Sequence, residues 1–212
     1  MPPPNETLTT WNNLAALYEA TFMDLDLYNA SYDLICSPEL KPRARVLEIG
    51  CGPGNITRYL LAKRPDYEIL GIDVAPNMIE RAQTNNPQAR FRVMDARAIN
   101  QLNEQYDLVV SGFCLPYLSA EEGRNLIADA GRLLNPGGLF YLSFVEGDPE
   151  QSGYKTGPGG RVYFHYHLLQ EVLDALKAAG FGDSLTLKVP YPGKETEAEE
   201  HTILIARKAN RA

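Results

Sequence analysis

What this sequence lacks narrows the field first. No apolar run approaches the roughly 20 residues that cross a bilayer, so neither a spanning helix nor a membrane partner is expected. Cysteine is scarce. Cys36, Cys51 and Cys114 are the three in 212 residues; they lie far apart with no CxxC pair. That excludes a disulfide framework, gives no zinc or other metal site, and fits a reducing cytoplasm. Positive charge is in deficit: 20 Lys and Arg face 27 Asp and Glu, a net charge of −7. Affinity for phosphate backbones comes largely from Lys and Arg, so no nucleic-acid partner is expected. Residues 1–5 lack the basic-then-apolar layout of a signal peptide and read as a frayed terminus. There is no internal repeat and no long low-complexity segment, and nothing specifies an oligomeric state.

What remains is ordinary globular material, 44% hydrophobic and 22% charged, of a length that suits one α/β domain with a small addition. The expected division is an N-terminal helical lid or extension over 1–40 and the α/β domain over 41–212. Residues 6–37 read as helical, with Leu14, Leu17, Tyr18, Phe22 and Leu25 at helical spacing. From Arg45 the pattern alternates. Strands are expected at 45–50, 68–73, 90–94, 107–111 and 139–145. Helices are expected at 55–64, from Pro76, at 119–134 and at 169–179. Ser119 and Glu122 have capping-box spacing, and Leu126, Ile127, Ala130, Leu133 and Leu134 form one apolar stripe. Pro136-Gly137-Gly138 is expected to stop that helix, and Gly180 the last one. Residues 153–160 read as a glycine-rich loop. Alternating strands and helices predict parallel pairing in a doubly wound sheet. At the end, the half-exposed strand at 185–189 and the strand at 202–206 have no helix between them, which predicts an antiparallel pair.

The chemistry concentrates at the ends of the predicted strands. Glu48-Ile49-Gly50-Cys51-Gly52-Pro53-Gly54-Asn55 lies between the first strand and the next helix. There, glycines let a ligand approach the backbone, and the helix start offers unpaired N–H groups. Asp73 ends the second strand about 20 residues later, where a carboxylate can accept both ribose hydroxyls; its bland alternative is a helix N-cap before Ala75-Pro76. Asp95 ends the third strand, and Ala96 follows.

In this order, VLEIGCGPGN (46–55), GIDVAPNMIERA (71–82), VMDAR (93–97), YDLVVSGFCLPYL (106–118), LLNPGGLFYLSF (133–144) and LKAAGF (176–181) resemble the motifs of the class I S-adenosylmethionine-dependent methyltransferase family over most of 43–208. The resemblance implies a seven-stranded, mostly parallel Rossmann-like sheet with the last strand antiparallel and helices on both faces. It also implies S-adenosylmethionine along the strand tips, leaving as S-adenosylhomocysteine. Position by position, Gly50 and Gly52, with Cys51 between them, would border the methionine moiety above Glu48. Asp73 would hold the ribose, Val74 and Met78 would flank the adenine, and Asp95 and Ala96 would meet its polar edge. Ser111 would border the methionine end. Tyr18, in WNNLAALY (11–18), either closes over the cofactor as in many small-molecule methyltransferases, with a catalytic part, or is a plain core aromatic.

The implied reaction is methyl transfer to a small-molecule acceptor by in-line displacement, in which the protein mainly positions two molecules. A hydroxyl acceptor would need a base. His165 is the candidate and His167 the alternative, although a helix-capping role for His167 outranks catalysis. Trp11, Tyr18 and Phe113 are candidate faces for a cation. Phe113, Pro116, Tyr117, Phe144 and Tyr154 are expected near an acceptor pocket. Cys51 and Cys114 read as small buried fillers, and 194–200 as a solvated hairpin tip. Two other readings stand beside this one. An NAD-type oxidoreductase wants a third glycine where Asn55 stands. A non-catalytic S-adenosylmethionine-binding module would keep the cofactor site and lose the acceptor site.

Overall fold

The computed structural model describes residues 4–37, 39–192 and 199–210. Residues 1–3 of the start expected to fray at 1–5, and most of the expected tip at 194–200, lie outside them; Pro4 and Asn5 already belong to the first helix. Two helices, α1 (Pro4–Phe22) and α2 (Asn29–Ile35), replace the single helical stretch expected at 6–37. Leu17 is half-exposed rather than part of the buried stripe.

Alternation then begins as the apolar runs predict: β1 (Arg45–Ile49), α3 (Asn55–Lys63), β2 (Glu68–Asp73), α4 (Pro76–Asn85), β3 (Arg90–Val93), β4 (Tyr106–Gly112), α5 (Ala120–Leu133) and β5 (Leu134–Val145). Next come β6 (Gly153–Gly157), β7 (Gly160–Phe164), α6 (Leu169–Ala178), β8 (Phe181–Tyr191) and β9 (Glu199–Lys208). Seven strands form one sheet in the order β3-β2-β1-β4-β5-β9-β8. β1 to β5 pair in parallel, and β9 runs against both β5 and β8.

Successive residues of a strand face opposite sides, and here both sides are covered. On β1, Val46 packs with Ile35 of α2 and Leu60 of α3. Its neighbours Leu47 and Ile49 pack with Leu126 and Ile127 of α5 and Leu176 of α6. The same split separates Tyr141 from Phe140 on β5 and Ile203 from Leu204 on β9. The sheet is therefore doubly wound, with its strand ends left to build a site.

Local signals explain the boundaries. Ser119 and Glu122 form the reciprocal capping box at the start of α5. Gly180, at φ +79°, ends α6. The Pro136-Gly137-Gly138 turn acts differently from expectation. α5 stops at Leu133, and β5 begins at Leu134 and runs through the turn. A register shift against β4 between Tyr106 and Leu108 absorbs the irregularity. The 153–160 stretch is also no plain loop: β6 and β7 pair as an antiparallel hairpin apart from the main sheet. Among the described residues, no helix is long and apolar enough to cross a membrane.

Candidate functional site

The ends of β1 to β4 open into a cavity of about 610 Å³, within the roughly 300–1,000 Å³ usual for small-ligand sites. Its floor starts at the glycine turn. Gly50, Gly52 and Gly54 have φ of +69°, +53° and +85°, a region that side chains with a Cβ avoid. The turn is held from behind. The N–H groups of Gly50 and Cys51 both donate to the Ile72 carbonyl, at 2.8 and 2.9 Å. Gly52 N donates to Asp73 Oδ2 at 3.0 Å. Asp73 Oδ1 accepts from Ala75 N at 2.9 Å. Asp73 thus ties the glycine turn to the start of α4, whose N-cap is Ala75 rather than Asp73 itself. Burial raises the Asp73 carboxyl above its ordinary range, against the lowering effect of those backbone donors.

Of the expected site residues, the cavity wall includes Tyr18, Gly50, Gly52, Asp73, Val74, Met78, Asp95, Ala96 and His165. Three others lie behind it. The Cys51 side chain is buried, packed with Ile79, Ala82 and Phe91. Ser111 is buried at the end of β4, its hydroxyl without a partner. Glu48 is 1% exposed. Its Oε2 accepts from the Thr57 hydroxyl, while Oε1 has no partner. Burial, helped by the nearby Asp73, pushes the Glu48 carboxyl up to about 8, against the Thr57 hydrogen bond.

The adenine-side expectation needs refinement. The Asp95 carboxylate accepts from Arg97 N at 2.8 Å and pairs with the Arg97 guanidinium at 3.1 Å. Arg97 Nε in turn donates to Glu122 at 2.6 Å. Arg97, Leu118, Ser119 and Glu122 all line the cavity. None was picked out from the sequence as a site residue, because Ser119 and Glu122 carry a complete structural explanation as a capping box.

Opposite the strand ends, α1 and β7 close the cavity. Asn77 donates two hydrogen bonds to Asn12, from its backbone N to Oδ1 at 2.9 Å and from its Nδ2 to the backbone carbonyl at 3.0 Å. Glu19 pairs with Arg81 and accepts from Asn85. These contacts fasten α1 to α4. Towards the hairpin, Tyr163 N donates to Thr7 Oγ1 at 3.0 Å, and Thr10 Oγ1 donates to the Arg161 carbonyl at 2.8 Å. Trp11 stands edge-on to Tyr18 and to Tyr117, with ring centroids 5.7 and 5.3 Å apart. Tyr18 lies over the glycine turn, where a Cβ on Gly52 would come 3.6 Å from its ring. Burial, with Asp73 and Glu48 nearby, raises its phenol to about 12.

The histidines separate. His165 lines the cavity, its Nε2 buried without a partner and its imidazole shifted by burial below the ordinary value. His167 does not cap α6, whose N-cap is Leu168. Its Nε2 lies 3.0 Å from the Leu115 carbonyl, and burial lowers it to about 4. Because a carbonyl only accepts, His167 Nε2 carries the proton. Of the aromatics expected at the acceptor pocket, Phe113 and Tyr117 line the cavity. Phe144 is core, and Tyr154 lies on the hairpin beneath Arg161.

Residues 46–138 match the family model of a methyltransferase domain. Trans-aconitate 2-methyltransferase of Methylobacterium nodulans is 32% identical over 120 residues, 57% of this chain and 45% of that protein. Malonyl-[acyl-carrier protein] O-methyltransferase of Acetivibrio thermocellus is 42% identical over 73 residues, 34% of this chain and 25% of that protein. The chain spans less than half the length of these relatives. Among solved structures, the magnesium protoporphyrin IX methyltransferase of Synechocystis PCC 6803 with bound S-adenosylmethionine superposes with a TM-score of 0.71 at 18% identity, covering 99% of this chain and 100% of that one. The domain match starts in β1 and ends at the turn inside β5, and the solved neighbour follows the fold almost end to end: residues 46–138 are similar to a methyltransferase domain, and the chain as a whole has the Rossmann-like α/β fold.

Proposed function

We propose that this protein transfers a methyl group from S-adenosylmethionine to a small-molecule acceptor. The observation that carries the reading is the convergence, on one cavity, of the Gly50–Gly52 turn, the Asp73 carboxylate and the Asp95-Ala96 strand end. Two orphaned polar atoms support the fit. Trp11 Nε1 and His165 Nε2 belong to side chains that line the cavity and are buried without partners, a costly state that a bound polar ligand relieves. Bound there, S-adenosylmethionine supplies an electrophilic methyl group on a sulfonium. Asp73 would orient the ribose through the carboxylate that also sets the glycine turn. Val74 and Met78 would face the adenine, and Asp95 and Ala96 its polar edge. Tyr18 and Trp11 would cover the bound molecule and exclude water. For a hydroxyl acceptor, His165, held neutral near pH 7 by burial, would receive the proton. We further propose that, of the N-terminal extension 1–40, α1 acts as a lid on the domain formed by 41–212, while α2 packs into the core of that domain.

The turn itself disfavours the dinucleotide reading. The N–H groups of Gly50, Cys51, Gly52 and Gly54 are all engaged within the protein. The turn therefore presents a wall, and not the cradle of free N–H groups that a pyrophosphate requires. Calorimetric titration with S-adenosylhomocysteine, with NADH in parallel, tests the choice. Micromolar binding of the first alone is expected; NADH binding would overturn the reading.

A further inference from the structure

We propose that the acceptor side of this cavity takes an uncharged planar aromatic nucleophile, of the phenol or N-heterocycle class, and rejects di- and tricarboxylates. This rests on the methyl-transfer reading above and adds the acceptor class to it. The first support is charge. Among the described residues that line the cavity, Arg97 is the single Lys or Arg. Its guanidinium is already committed to two carboxylates, Asp95 at 3.1 Å and Glu122 at 2.6 Å. Asp73 adds a third carboxylate to the wall, and His165 is held neutral near pH 7 by burial. These carboxylates lie where the ribose and adenine of the cofactor would sit; no Lys or Arg is left among the described lining residues for the acceptor side, so an anionic acceptor would find no free cation there to offset its desolvation.

The second support is the aromatic lining. Trp11 of α1, Tyr163 of β7, and Phe113 and Tyr117 just beyond the end of β4 all supply aromatic surface to the cavity. Trp11 and Tyr117 meet edge to face, and Tyr117 stands edge-on to Phe164. Aromatic surface of this kind favours another ring over a flexible polar chain.

The third support is the unmet hydrogen-bonding capacity. Trp11 Nε1 and His165 Nε2 are both buried without partners. The indole N–H can only donate, and the neutral imidazole nitrogen can accept or donate by tautomer. Together they ask for a ligand with an accepting oxygen or ring nitrogen and at most one exchangeable proton. A phenol or an N-heterocycle meets both; a carboxylate meets the donor and finds no free cation.

The test is calorimetric binding of 2-naphthol, quinoline and trans-aconitate to protein saturated with S-adenosylhomocysteine. The chain's one tryptophan gives a second readout in its emission. At least one ring compound is expected to bind 100-fold tighter than trans-aconitate and to perturb Trp11 emission. Trp11→Phe keeps a ring and removes the N–H; measured on protein held saturated with S-adenosylhomocysteine, it should weaken that binding about tenfold. Binding of trans-aconitate as tightly as the rings, or no ring compound binding while S-adenosylhomocysteine does, overturns the acceptor class and leaves the cofactor reading standing. Failure to bind S-adenosylhomocysteine at all overturns the cofactor reading, and the acceptor class falls with it.

Discussion

Asp73 and Gly52 lie 21 residues apart and meet through a backbone N–H; Thr10 and the Arg161 carbonyl lie 151 residues apart and meet through a hydroxyl. These two contacts represent the two walls of the cavity. The strand-end wall is made by backbone: positive-φ glycines, carbonyls of adjacent strands and one carboxylate that accepts from its own neighbourhood. The α1–β7 wall is made by side chains from opposite ends of the chain, with threonines and a surface ion pair in place of a sheet ladder. Backbone geometry of the first kind fixes a ligand's position. Side-chain fastening of the second kind can be undone one bond at a time, as a cover requires.

The largest expected effect breaks the first wall. Asp73→Ala removes both the carboxylate that would hold the ribose and the tie between Gly52 and Ala75. Hydrogen bonds to charged groups are worth about 1.5–3 kcal/mol each, so S-adenosylhomocysteine affinity should fall at least about 100-fold. His165→Ala, on the opposite wall, should leave it within about threefold. Calorimetry on the two variants decides, and equal losses would sink the assignment of the walls.

The difference between the walls is also why one was legible in the sequence. Glycine, carboxylate and strand are local statements, so Gly50, Gly52, Asp73 and Asp95 could be placed by spacing alone. Asp95 shows the limit. Its position was readable, but the chain of ion pairs from Asp95 through Arg97 ends on Glu122 of α5, which sequence spacing explains as half of a capping box. The hairpin at 153–164 hid for a related reason. Its glycines signal a turn, but its two strands pair only with each other and show no buried stripe. Tyr163 and His165 reach the cavity because β7 is held by α1, a contact between segments 150 residues apart that no local pattern encodes.

Glycine substitutions sharpen the same contrast. Gly54 sits at φ +85° as the N-cap of α3, and an added Cβ would run into the Asn86 side chain. Gly54→Ala should destabilise the protein by about 1–3 kcal/mol. Gly157→Ala, in the hairpin, meets nothing within 4 Å and should shift stability by less than about 0.5 kcal/mol. Thermal melts of the two variants check this; a hairpin variant that melts as low as the turn variant would mean the cover is as rigid as the floor.

Glu48 gives the first wall a pH signature. Its carboxyl rises from 4.5 to about 8 in the folded protein, so folding favours the protonated form. The stabilisation is complete below the unfolded value and is lost as pH rises through the folded one, by up to about 1.4 kcal/mol per pH unit. Glu48→Gln keeps an acceptor for Thr57 and carries no charge. Its melting temperature should therefore gain on the wild type between pH 5 and pH 8. A constant offset across that range would show that Glu48 does not hold its proton.

The smallest expected effect lies on the second wall, and its size is the point. Arg161 and Glu6 pair at 2.8 Å, but both side chains are substantially exposed, and such pairs contribute about 0–1 kcal/mol, less in salt. Thr10 is 4% exposed, so Thr10→Val leaves the Arg161 carbonyl without its donor in a covered place, at a cost of about 1 kcal/mol. Neither change should move the global melt by more than a few degrees. Because α1 rests on several such bonds, loss of one should speed local opening first. Amide exchange at Tyr163, whose N–H donates to Thr7, should quicken several-fold in Thr10→Val and less in Glu6→Gln, while exchange in β1 and β4 stays as it was. Equal acceleration in β1 and β4 would mean that α1 opens only with the whole fold, and that it is part of the core rather than its cover.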